Sequence, residues 1–200
     1  MAQDTDHLGR PIVVVTGIGV LTSLGQGKAE NWAALTSGKS GIRQITRFPI
    51  SGLRTCIAGT VDFIDVPEPS APALSERLAE LVIDEAVSEA GIGTPGNFPG
   101  PLFLALPPVE MEWPQRQALA AAAGNQDTVD YPDLLRVANN GSFGGYYRRF
   151  LFSSVGENLA ERFGTKGSPI ATSTACASGG TAIQLGVEAI RRGESPPPPA

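Results

Sequence analysis

Cys176 is the one residue of this chain whose type and setting together point to covalent chemistry. It stands in Ser173-Thr174-Ala175-Cys176-Ala177-Ser178-Gly179, where the strand-like run 168–174 gives way to small residues and then to a helical pattern. A thiol at such a junction lies beside backbone N–H groups that have no intrahelical partner and beside the positive end of the helix dipole. Both stabilise negative charge on sulfur. The neighbours, with Gly180, are all small, so a bulky acyl thioester has room to approach. Once its carbonyl is attacked, the backbone amide of Cys176 is a candidate oxyanion donor. The residues alone leave a second reading open, in which Cys176 is a small hydrophobe buried at a crowded junction, the common fate of a free cysteine. Cys56, the other cysteine, falls in the middle of an expected strand with no helix start behind it and is assigned no role.

Other chemistries fit the residues less well. His7 is the sole histidine, and with two distant cysteines it supplies no familiar metal-ligand spacing, although sites made only of carboxylates stay open. No metal and no cofactor are expected. Gly17-x-Gly19 follows a strand pattern, but Thr22 occupies the third glycine position of a dinucleotide fingerprint. Gly27-Lys28 is followed by Ala29, where a phosphate loop needs a magnesium-binding hydroxyl. A net charge of −5 with scattered basic residues argues against nucleic acid. No apolar run approaches the roughly 20 residues that cross a bilayer, and the first residues resemble no export signal. With two cysteines, too few for a disulfide framework, the expectation is a soluble cytoplasmic protein that binds no membrane.

The elements around Cys176 alternate. The β-branched run 12–16 reads as a first strand buried on both faces, and 28–37 as a helix with Trp32 and Leu35 on its apolar side and Gly38 at its end. A strand is expected within 55–61, and a long amphipathic helix from Leu74 to Gly91. A strand at 102–106, helices at 114–123 and 131–138, a loop at 141–145, a helix at 153–163 ended by Gly164, and a strand at 168–174 follow. The last helix spans about 177–192, with Arg191, Arg192 and Gly193 as its stop. This order predicts a layered α/β domain with a mostly parallel, buried sheet. Residues 1–10 are expected to be a flexible N-terminus, 11–194 the folded half-domain, and 195–200 a proline-rich tail that cannot continue as a central strand.

The Cys176 segment, continued by Gly180-Thr181-Ala182-Ile183-Gln184 and ending at Ala189-Ile190-Arg191-Arg192-Gly193-Glu194, resembles the nucleophile segment of β-ketoacyl-[acyl-carrier-protein] synthases of the elongating kind. The opening agrees: Val13-Val14-Val15-Thr16-Gly17-Ile18-Gly19-Val20, Trp32-Ala33-Ala34-Leu35 and Gly38-Lys39-Ser40-Gly41-Ile42 are similar to that family's first strand, first helix and following loop. Phe48 and Ala58-Gly59 also match. The resemblance implies a thiolase-like fold of two similar α/β halves, of which this chain is the N-terminal one, working as a homodimer. It implies a 3-oxoacyl-[acyl-carrier-protein] synthase activity in fatty-acid biosynthesis, an acyltransferase reaction with acyl carrier protein as partner. Cys176 would receive the acyl chain, and a decarboxylated malonyl unit would attack it. In the family, histidines of the second half assist that attack, so this portion alone is expected to be inactive in condensation. The alternative is a truncated, non-catalytic remnant or partner subunit that keeps the fold and dimer surface. At Leu104-Ala105-Leu106-Pro107-Pro108-Val109 the chain departs from the glycine-rich loop that the family carries near its acyl pocket, and acyl length is not legible.

Overall fold

The computed structural model describes residues 5–66, 70–94, 96–124 and 130–194. The tail expected at 195–200 and the first four residues of the expected flexible terminus lie outside them. The described residues form two compact units, one of residues 5–66 and 77–94, the other of 70–76 and 96–194.

In the first unit, residues 5–11 close a turn around Asp6. Its carboxylate accepts from the N–H groups of Leu8 and Arg10 at 2.9 and 3.0 Å, and Arg10 Nε donates to it at 2.9 Å. The guanidinium holds the Asp6 carboxyl down to about 2. Strands β1 (Leu21–Thr22) and β2 (Gly25–Gln26) form a tight antiparallel hairpin that feeds helix α1 (Gly27–Thr36). The buried side of α1 is not the expected Trp32 and Leu35, which are exposed, but Asn31 and Ala34. A polar knot makes that choice. Asn31 Nδ2 donates to the carbonyls of Gly25 and Gly27 at 2.9 and 2.8 Å, and Thr22 Oγ1 donates to Asn31 Oδ1 at 2.5 Å. A buried amide so fully paired fixes a helix face that counting apolar residues does not reveal. Strand β3 (Ile42–Gln44) pairs antiparallel with β4 (Ile57–Gly59), with Arg43 opposite Ala58.

The expected first strand at 12–16 is corrected by the structure. It belongs to no strand, and Val14 and Val15 are 68% and 74% exposed. A β-branched run records what a segment can bury, and burial follows only where a neighbour lies against it. The chain meets its neighbour just afterwards. Helix α2 (Ala71–Ala90) presents its residues beyond Glu76 to the glycine pair. A Cβ at Gly17 would lie 2.0 Å from the Ala86 carbonyl oxygen, and one at Gly19 would lie 1.9 Å from that of Val82. The glycines rejected above as a nucleotide fingerprint are therefore packing residues. The N–H groups of Ile18 and Val20 donate to the carboxylates of Glu89 and Glu85 at 2.7 and 2.8 Å, taking from side chains what a sheet partner would give. Lys28 Nζ pairs with Glu89 at 2.5 Å, and Gly27 N–H returns to the Val20 carbonyl at 2.7 Å. The Gly27-Lys28 pair thus anchors α1.

The second unit holds the parallel pairing. Strand β5 (Phe103–Ala105) is followed by α3 (Trp113–Ala123), α4 (Tyr131–Ala138), α5 (Gly144–Arg149) and α6 (Ser154–Phe163). Strand β6 (Ile170–Thr172) then runs parallel to β5, Leu104 opposite Ala171, and leads to α7 (Ser178–Arg191). The α/β class expected from the alternation holds, and parallel pairing among the described residues is confined to β5 and β6. Pro114 opens α3 and the Asp130 carboxylate caps α4 by accepting from Asp133 N–H at 3.1 Å. The loop expected at 141–145 is shorter than that, because Phe143, Tyr146 and Phe150 stack at helical spacing, with centroids 5.3 and 6.1 Å apart, and draw Gly144 and Gly145 into α5. Gly164 ends α6 at φ +62° and comes so close to Gly96 that a Cβ would lie 1.9 Å from its carbonyl oxygen. Leu104, Leu106, Val155, Leu159, Phe163 and Ala189 are buried, and α7 packs on β5. This core fixes the strand that leads to Cys176.

Two outcomes follow. Replacing Gly19 with Ala forces α2 and the 17–20 segment apart and should destabilise the protein by about 2–4 kcal/mol in urea denaturation. Gly186→Ala, inside α7 with only Phe103 at 3.9 Å, should be neutral or stabilise by up to about 1 kcal/mol. The second outcome concerns pH. The Lys28 ammonium, then the Ile18 N–H, hold the Glu89 carboxyl below its ordinary value. A carboxyl depressed on folding contributes stability above its unfolded pKa and loses it as the pH falls through the folded one. The midpoint advantage of the parent over Glu89→Gln should therefore be present at neutral pH and close below the ordinary carboxylate range.

Candidate active site

Strand β6 delivers the chain to a tight turn. Thr174 has φ −113° and ψ 37°, and Ala175 then adopts φ +50°, the only positive φ outside glycine among the described residues. For a residue with a Cβ this left-handed conformation costs about 1–2 kcal/mol, so surrounding contacts must hold it. A 3₁₀ turn over Ala175–Ala177 follows and runs into α7. Within it Ala177 N–H donates to the Thr174 carbonyl at 3.2 Å, and Ser178 N–H donates to that of Ala175. The Cys176 N–H is a donor in neither bond.

Cys176 is an exposed residue, as is every residue from Ser173 to Ala177. The reading of Cys176 as a buried small hydrophobe is therefore set aside. Gly179 and Gly180 have open space where side chains would stand, which keeps one flank of the turn clear. Beneath the turn three hydroxyl residues meet. Thr174 N–H donates to Ser178 Oγ at 2.7 Å, and Thr172 Oγ1 lies 3.2 Å from the Leu104 carbonyl and 3.4 Å from that of Ser178. Of these residues only Ser178 stands out in the sequence, and only for its small size. The available signal was hydroxyls at positions 174 and 178 on either side of a helix start, one residue further apart than the pair of a capping box.

The remaining reactive groups lie elsewhere in sequence and structure. Cys56 is exposed in the first unit and precedes β4 instead of sitting within it, its carbonyl closing the ladder by accepting from Ile45 N–H at 2.9 Å. Its sulfur lies 4.0 Å from the Leu53 carbonyl, with no helix start nearby. His7 is exposed in the Asp6 turn.

The strain at Ala175 is measurable. Ala175→Gly removes the Cβ penalty and should raise stability by about 0.5–1 kcal/mol after the entropy cost of glycine, whereas Ala175→Val should lower it by at least about 1 kcal/mol. Urea midpoints of the two variants against the parent give both values.

The family description "Beta-ketoacyl synthase, N-terminal domain" fits residues 10–196. A "Putative polyketide beta-ketoacyl synthase 1" of Streptomyces cyaneus is 31% identical over 200 residues, which cover 92% of this chain and 44% of the relative. The "3-oxoacyl-[acyl-carrier-protein] synthase 2" of Coxiella burnetii is 47% identical over 78 residues, 39% of this chain and 19% of that one. Among solved structures, "The ishigamide ketosynthase/chain length factor" superimposes with a TM-score of 0.64 at 26% identity, covering 93% of this chain and 45% of the other. The chain thus spans less than half the length of the relatives it matches along most of its own length. Its α/β elements are those of the thiolase-like ketosynthase fold, and the chain belongs to the β-ketoacyl synthase family, of which it carries the N-terminal domain.

Proposed function

We propose that this chain is the acyl-accepting part of a β-ketoacyl synthase and that Cys176 carries the acyl group. In the first step Sγ attacks the carbonyl of an acyl thioester held on acyl carrier protein. A carbon–sulfur bond forms to Cys176, the bond to the carrier's sulfur breaks, and the thiol proton departs with the carrier thiol. The tetrahedral oxygen accepts from the Cys176 N–H. A malonyl unit on a second carrier then loses carbon dioxide, and the carbanion so formed attacks the acyl–Cys176 carbonyl. That releases Cys176 as a thiolate and a 3-oxoacyl thioester on the carrier. The carbanion step needs electrophilic donors on the malonyl carbonyl. The one histidine of these 200 residues, His7, lies in the exposed Asp6 turn, so we assign condensation to the full-length enzyme and acyl transfer to this portion. The proposal extends to a homodimeric intact form in the cytoplasm.

The observation that carries the reading is an exposed cysteine placed one residue after a left-handed alanine, in a 3₁₀ turn two residues before a 14-residue helix. Carrier protein as partner is supported by the name of the Coxiella relative. Polyketide chains are favoured over the fatty-acid chains expected from sequence, because similarity along nearly the whole chain is to a polyketide enzyme and the Coxiella match is shorter. The retained thiol speaks for a catalytic origin over a non-catalytic remnant.

Both cysteines are exposed residues, so each can meet an alkylating reagent and Cys56 serves as the internal reference. Iodoacetamide or cerulenin should label Cys176 about tenfold faster than Cys56, read by peptide mass mapping of the folded chain. Equal labelling, or none, would contradict the assignment.

A further inference from the structure

We propose that Ser178 is a positioning residue for Cys176, its buried hydroxyl latching the left-handed turn that sets the sulfur at the start of α7. The proposal rests on the reading of Cys176 as nucleophile. Ser178 is 6% exposed, whereas the five residues before it are all exposed, so the turn is anchored from below at this side chain. Its hydroxyl does two things at once. It accepts from Thr174 N–H at 2.7 Å, and it lies 3.4 Å from Thr174 Oγ1, where either hydroxyl can be the donor. Thr174 precedes the helical run, and its N–H is a donor that a capping box satisfies with a glutamate or glutamine from the first helical turn. Here a serine four residues on performs that task.

The same residue ties the turn to the sheet. The Thr172 hydroxyl is shared between the Ser178 carbonyl at 3.4 Å and the Leu104 carbonyl at 3.2 Å, so β5, β6 and α7 converge on Ser178. Leu104 and Ala189 are themselves buried, which makes the anchor rigid. Released from the latch, Ala175 gains by leaving φ +50° for the right-handed region, and the residue after it swings away from the amides of the first helical turn. Ser178 thus acts on the sulfur through two residues of backbone and touches no substrate.

The test uses the full chain, with Cys56 as internal reference. In Ser178→Ala the ratio of Cys176 to Cys56 alkylation by iodoacetamide should fall about five- to tenfold, and the Thr174 amide should lose its hydrogen-exchange protection. Ser178→Thr, which keeps the hydroxyl, should restore most of both. A general loosening of the fold would not lower this ratio selectively or be rescued by threonine. An unchanged ratio in folded Ser178→Ala overturns the proposal, whether or not Thr174 protection is lost. Should Ser178→Ala not fold, Thr172→Val removes the second tie and should lower the ratio about two- to threefold; no change there overturns it equally. A parent in which Cys176 reacts no faster than Cys56 would instead overturn the nucleophile reading, while loss of Thr174 protection in Ser178→Ala would still establish the latch.

Discussion

A single backbone torsion, φ +50° at Ala175, governs what the rest of the second unit accomplishes. An alanine holds that angle only when the chain on both sides is fixed, because its own preference opposes it. The strand side is fixed by the parallel β5–β6 pair, with Leu104 buried and α7 packed against β5. The helix side is fixed by α7, whose first residue, Ser178, hydrogen-bonds back across the turn. Core packing far from the sulfur therefore decides where the sulfur stands. Leu159 and Val155, almost fully buried, contribute to the site in this indirect sense.

The first unit is organised differently. Its central contact is backbone against backbone, Gly17 and Gly19 on α2, reinforced by carboxylates of Glu85 and Glu89 that accept amide protons a neighbouring strand would otherwise take. Glu89 is exposed and Glu85 half-buried, so the bond to Glu89 in particular is modest. Val14, Val15, Trp32, Leu35, Ile42 and Ile57 remain exposed. In this unit the strongest apolar signals in the sequence did not become the strongest buried contacts.

That contrast explains what was legible. The helices α2, α6 and α7 follow from periodicity joined to punctuation: Gly91 at φ +64°, Gly164 at φ +62° and the Arg191-Arg192-Gly193 stop are local, and local rules read them. Cys176 at a strand-to-helix junction was legible for the same reason. The burial of Asn31 in place of Trp32 was not, because it depends on carbonyls of a hairpin that composition does not announce. Nor was the left-handed Ala175, since nothing in an alanine signals φ > 0. The glycine pair was read from sequence only as a strand end and a failed nucleotide fingerprint, and the structure shows it packed on α2.

If Cys176 accepts an acyl group, transfer from a carrier thioester leaves that group on its sulfur. The folded chain would be incubated with an acyl-[acyl carrier protein], digested, and the acyl group located by tandem mass spectrometry, with Cys176→Ser alongside. One acyl group per chain is expected, on Cys176, and none on the variant. Acylation of Cys56 to the same extent, or the same adduct on Cys176→Ser, would contradict it.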